Sequence, residues 1–140
     1  NKILQEMNRK HSIEEYLKVI EKVKKAKSNI EFSSDFIIGY PGETYDDFQK
    51  TIKLMNEVKF INSYSFIYSA RPGTPAYNLI NTNHNDAKKR LMDFQKTAEK
   101  IKTRYRNNLV NKMSIVLFES KTKKGNKYFG RDEYFNSVIV

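Results

Sequence analysis

Cysteine and tryptophan are both missing from this chain of 140 residues, and there are only three prolines and five glycines. Without cysteine there is no disulfide, no thiolate nucleophile and no ligand for a cysteine-held zinc or iron–sulfur site, so no metal site is expected. No apolar run approaches the roughly 20 residues needed to span a bilayer, and the first residues lack the apolar core of a signal peptide. These absences predict a soluble, cytoplasmic protein with no membrane partner. The chain starts at Asn1, already inside a helical pattern, as a piece of a longer protein would.

What is present is charge. Lysine and arginine exceed aspartate and glutamate by 10, which points to a polyanionic partner. The excess is uneven. Residues 86–140 hold 14 basic against 6 acidic side chains, and residues 1–85 hold 12 against 10. The last part is therefore expected to touch a phosphate backbone and the first part to do chemistry, the other reading being a solvated helix face. With 39% hydrophobic residues the chain has enough for a modest core.

The few prolines and glycines mark two turns. Phe36-Ile37-Ile38 is a continuous apolar run that suits a strand buried on both faces, and it exits through Gly39-Tyr40-Pro41-Gly42. Thr44 with Asp47 then reads as the cap of a helix over residues 45–58 with Phe48, Ile52 and Met55 inward. Such a turn lets the backbone approach a polar ligand, and it is equally what an ordinary strand-to-helix connection requires. Upstream, Ile3, Leu4 and Met7 share a short helix face. Ser12 and Glu15 open a second helix whose Ile13, Tyr16, Leu17, Ile20 and Val23 repeat at the helical period.

Downstream, Tyr64, Phe66 and Tyr68 alternate with Ser63, Ser65 and Ile67 as a second strand, which leaves through Arg71-Pro72-Gly73-Thr74-Pro75. Alternating helices and strands imply βα units and a parallel sheet, so both turns belong at one C-terminal edge and line one cleft. There Arg71 is placed to pair with a substrate carboxylate or phosphate, or else to serve as a surface charge or as a partner for Glu43. Residues 81–86 read as a polar connector with His84 solvated. From Asp86 a long helix carries Ala87, Leu91, Phe94, Ala98, Ile101, Tyr105 and Leu109 on one stripe.

Met113 to Phe118 alternates like a strand, residues 121–127 form a basic loop, and Val138-Ile139-Val140 is a last short strand. These are the opening strands of a small β-barrel with lysines and aromatics suited to RNA. The candidate phosphate contacts are Lys121, Lys123, Lys124, Lys127 and Arg131.

The stretches Ile3-Leu4 through Met7-Asn8-Arg9-Lys10-His11, Ser33-Ser34-Asp35-Phe36-Ile37-Ile38-Gly39-Tyr40-Pro41-Gly42-Glu43-Thr44 and Phe66 to Ala76 resemble the methylthiotransferases of the radical S-adenosylmethionine superfamily. The pairing of Ser-Ser-Asp-Phe with Arg-Pro-Gly-Thr-Pro is most similar to the branch that modifies prenylated adenosine in tRNA.

The resemblance implies an α/β fold over residues 1–110, the C-terminal half of a TIM-like radical barrel with parallel strands. A long helix and, over residues 111–140, the start of an all-β TRAM barrel would follow. It implies a fragment of an enzyme that adds a methylthio group to C2 of N6-isopentenyladenosine beside the anticodon. S-adenosylmethionine and two [4Fe-4S] clusters would serve the full-length protein, with the tRNA anticodon stem-loop and the missing N-terminal part as partners.

The family's cluster cysteines lie upstream of the matched stretch, so this chain alone is expected to be inactive and to hold no catalytic residue. By the same resemblance Ile37, Ile38 and Gly39 take the place of the adenine-contacting strand, and Arg9, Tyr68 and Arg71 are candidate cleft residues. The usual Gly-x-Ile-x-Gly-x-x-Glu is altered, with Asp35 at its first glycine and Gly42 at its glutamate. Two alternatives stay open: a non-catalytic tRNA-binding module, and a sister branch acting on threonylcarbamoyladenosine or a ribosomal protein.

Overall fold

The computed structural model describes residues 1–123 and 125–140, which form two compact units divided between Tyr105 and Arg106. In the first unit the short helix α1 (Lys2–Glu6) precedes α2 (Ile13–Ala26), and α3 (Tyr45–Val58) lies between the strands β1 (Ser33–Ile38) and β2 (Asn62–Ile67). Both longer helices start on reciprocal caps. Ser12 Oγ accepts from the Glu15 N–H and the Glu15 carboxylate accepts from the Ser12 N–H at 2.7 Å, and Thr44 and Asp47 repeat the arrangement. Each pair satisfies amide donors that a helix start leaves open.

The Thr44 cap gives a pH prediction. Hydrogen bonds from Thr44, its side chain first, hold the Asp47 carboxyl below its usual range despite some burial. The folded state thus favours the carboxylate, so this cap stabilises above the unfolded value of about 3.9 and its contribution is lost as pH falls through the lowered folded value. Asp47→Ala is expected to cost about 0.3–1.5 kcal/mol at pH 7. Thermal unfolding of both proteins against pH should show that gap closing in acid, and a gap that stayed constant would contradict the assignment.

β1 and β2 pair in parallel, Ser33 opposite Asn62 through Ile38 opposite Ile67. One face of this sheet carries Phe36, Ile38, Ser63, Ser65 and Ile67, and the other carries Asp35, Ile37, Tyr64 and Phe66. The helices cover only the first. Ile38 is fully buried with Phe48 and Met55 of α3 and Phe94 of α4 (His84–Asn107), and Phe36 extends that core toward Ile20, Val58 and Phe60. The Phe36 ring lies 4.8 Å from that of Phe94 and 5.4 Å from that of Phe60.

The expectation of a strand buried on both faces is therefore corrected, since Ile37 is 43% exposed and Phe66 58%. α2, α3 and α4 all pack on the Phe36 side, and an apolar run does not reveal how many layers cover it. The long helix also begins earlier than expected, at His84, because the Asn83 side chain accepts from the Asn85 N–H.

The second unit holds the antiparallel sheet β3 (Val116–Lys121), β4 (Tyr128–Asp132) and β5 (Ser137–Ile139), in that spatial order. β3 starts three residues later than the alternation over 113–118 suggests and takes in Lys121, which was expected in the loop. A bulge explains the shift. Phe118 pairs with Gly130 and Ser120 with Phe129, so Glu119 is an extra residue that breaks the period of two. Gly130 is required at the crossing, since a Cβ there would run into the Leu117 carbonyl oxygen.

Candidate functional site

Parallel pairing brings the exits of β1 and β2 to one edge of the first unit. The Tyr68 N–H donates to the Ile38 carbonyl at 2.8 Å, one step beyond the strands, and the Tyr40 and Tyr68 rings meet edge to face at 5.1 Å. Tyr40 is buried, which raises its pKa, and its hydroxyl donates to the Glu6 carbonyl at 3.0 Å, so α1 is tied to the same edge. The second turn is held by its own contacts: the Tyr68 hydroxyl donates to the Ala76 carbonyl and Thr74 Oγ1 to that of Arg71.

The first turn is locked from the inside. Gly39 sits at φ 72°, and a Cβ there would approach the Ala87 Cβ to 2.9 Å, so glycine is needed both for the backbone and for the approach of α4. Its N–H donates to Glu43 Oε2 at 3.2 Å. Arg90 Nη1 donates to Glu43 Oε1 at 2.6 Å and to the Glu43 carbonyl at 3.0 Å, and both side chains are nearly buried. Burial is the largest influence on Glu43 and pushes its pKa up, against the hydrogen bond and charge of Arg90. Thr82 completes the frame by donating to the Tyr40 carbonyl at 3.1 Å.

The candidate cofactor residues separate on this geometry. Ile37 presents its side chain on the open sheet face, whereas the Ile38 side chain is core and its carbonyl is engaged by Tyr68. The Gly39 N–H is engaged by Glu43 and the Tyr68 hydroxyl by Ala76. Arg71 is exposed and does not meet Glu43, whose partner is Arg90; Arg9 is exposed beyond the end of α1. Glu43 thus stands in the altered motif one position after the expected glutamate and folds back onto Gly39.

Sequence reasoning missed Arg90 and Thr82. The signal for Arg90 was its spacing, three residues after Ala87 and four before Phe94, which puts a guanidinium on the apolar stripe.

In the second unit Lys121, Lys123, Lys127 and Arg131 are all exposed; Lys124 lies outside the described residues. Lys121 Nζ stands 5.6 Å from the centre of the Tyr128 ring. Arg131 lies over Phe129 at 5.8 Å and 3.6 Å from Glu119, an exposed pair that leaves most of its charge available. Among the described residues no cluster of histidine, aspartate and glutamate has the makings of a metal site, and no helix is long and apolar enough to cross a membrane.

A parallel βα sheet with a glycine turn at its C-terminal edge is the frame of many cofactor-binding folds, and residues 1–55 match the Radical SAM superfamily. The chain is thus similar to the Radical SAM superfamily over residues 1–55 and to curated relatives along nearly its whole length. It is 54% identical over 139 residues to the tRNA-2-methylthio-N(6)-dimethylallyladenosine synthase of Pelagibacter ubique, covering 99% of this chain and 31% of the relative. The proteins of the same name from Wolbachia pipientis wMel and Ehrlichia ruminantium (strain Gardel) are 44% and 42% identical across all of this chain and 32% of their own length. The chain thus spans about a third of the length of these curated relatives.

Proposed function

We propose that this chain is part of a tRNA methylthiotransferase that adds a methylthio group to C2 of N6-isopentenyladenosine beside the anticodon, in the cytoplasm. The observation that carries the reading is 54% identity, extending over both compact units, to a synthase named for that product. On this reading residues 1–110 belong to a TIM-like radical barrel completed by the missing N-terminal part. Residues 111–140 open a TRAM barrel, and the anticodon stem-loop is the substrate.

S-adenosylmethionine supplies the radical chemistry when bound. The residues present fit it in part: Ile37 offers an apolar surface for the adenine and the exposed Arg71 a planar partner for the carboxylate. Tyr68 borders the second turn, Arg9 follows the helix α1 that Tyr40 ties to the same edge, Ile38 and Gly39 contribute backbone shape, and Glu43 and Arg90 hold the turn rigid. The [4Fe-4S] clusters do not fit this chain, since it has no cysteine, and belong to the rest of the full-length protein. A non-catalytic tRNA-binding module is the second reading, favoured by the basic excess of residues 86–140.

RNA contact is tested through the basic hairpin. Replacing Lys121, Lys123 and Lys127 with Ala should weaken tRNA binding with little sequence preference, and should lower the magnitude of the slope of log K against log salt by about two units, at roughly 0.7–0.9 per phosphate contact. Equal affinity and slope in the two proteins would move the RNA site away from the hairpin.

A further inference from the structure

The bulge in β3 does more than interrupt a ladder. Residues three apart on a regular strand point to opposite faces, yet Phe118 and Lys121 lie opposite Gly130 and Tyr128, which are two apart on β4 and share a face. The extra residue, Glu119, turns the strand so that an aromatic ring and a lysine come to the same side. Gly130 has no side chain to fill the space opposite Phe118, and the Phe118 ring reaches diagonally to Tyr128, with centroids 6.1 Å apart and planes at 66°. Lys121 stands over the same Tyr128 ring. Phe118 and Tyr128 are each about half exposed, at 52% and 47%.

We propose that Phe118 and Tyr128 form a stacking platform for an unpaired base of single-stranded RNA, with Lys121 on the adjoining phosphate. This rests on the RNA reading of the hairpin and adds to it a contact that depends on bases and not on charge. The occupant follows from charge and shape together. Residues 106–140 carry seven basic against three acidic side chains, so the platform lies in a field that favours a polyanion. A half-exposed aromatic pair beside a lysine supplies the two contacts that each nucleotide of a single strand offers, a ring face and a phosphate. An acidic peptide would use the lysine and leave the rings without a partner.

The experiment is titration of the 140-residue chain with a short oligouridylate at several salt concentrations, followed by the ring resonances of Phe118 and Tyr128. Both sets of resonances are expected to shift upfield on binding. Tyr128→Leu should lower affinity about 5- to 150-fold with an unchanged salt slope, while Tyr128→Phe stays near the parent protein. Lys121→Gln should lower the magnitude of the slope by about 0.7.

Unchanged affinity in Tyr128→Leu, or ring resonances that stay in place in the parent protein at saturation, would overturn the platform. The second readout decides the matter even if Tyr128→Leu does not fold. Failure of the parent chain to bind oligouridylate would overturn the platform and the RNA reading of the hairpin together. Binding with unmoved rings would overturn the platform alone.

Discussion

Arg90→Ala is expected to lower the unfolding free energy by about 3–5 kcal/mol, because it leaves the Glu43 carboxylate buried with only the Gly39 N–H to satisfy it. Lysine at 90 should recover little, since a single ammonium replaces a planar fork whose Nη1 serves the carboxylate and the Glu43 carbonyl together. The double variant Arg90→Met with Glu43→Gln should recover most of the loss, as the buried charge is then gone and the side-chain amide introduced at position 43 can still accept from the Gly39 N–H.

The pH dependence separates charge from packing. Burial already raises the Glu43 pKa, and without Arg90 it rises further. A folded-state value above the unfolded one means that stability falls as pH rises through it, so the Arg90→Ala deficit should shrink as pH is lowered toward the ordinary glutamate value of about 4.3. Urea unfolding at several pH values checks this. A deficit below about 1 kcal/mol, or one independent of pH, would show that the pair does not hold the turn.

Phe94→Ala should cost about 3–5 kcal/mol, the usual range for emptying a fully buried aromatic site. The ring closes the core formed by Ile38, Phe48 and Met55 and touches Phe36, so its loss removes the largest buried side chain that α4 contributes there, leaving Leu91, Ala98 and Ile101 around a cavity. Phe94→Leu should cost distinctly less. Met92→Ala, two residues away and 68% exposed, should stay within about 0.5 kcal/mol of the parent protein. Equal losses at 92 and 94 in urea unfolding would contradict the burial of this helix face.

Much of the first unit was legible because its signals are local. Ser12 with Glu15 and Thr44 with Asp47 cap helices by contacts three residues apart, and the α3 stripe of Phe48, Ile52 and Met55 follows a single period. Three features were not legible, each for a physical reason. The exposure of Ile37 depends on which side of the sheet the flanking helices α2 and α3 and the distant α4 choose. The Glu43–Arg90 pair joins residues 47 apart in the chain, and only the on-stripe spacing of Arg90 hinted at it. The true extent of β3 was hidden because the bulge at Glu119 destroys the alternation by which a strand is read. At the candidate site, the two turns and their shared edge could be read from sequence. Which of their polar groups are already engaged could not, since Tyr68, Gly39 and Ile38 spend them on partners set by the fold.

The central proposal is that this chain is one part of a tRNA methylthiotransferase whose cluster ligands lie elsewhere. It is tested most directly by anaerobic reconstitution with iron, sulfide, reductant, S-adenosylmethionine and tRNA bearing N6-isopentenyladenosine, followed by mass spectrometry of the tRNA nucleosides. The full-length protein should yield the 2-methylthio nucleoside and the 140-residue chain by itself none, having no thiolate to hold a cluster. Methylthiolated adenosine formed by the chain alone, or none formed by a full-length protein loaded with iron and sulfide, would contradict the account.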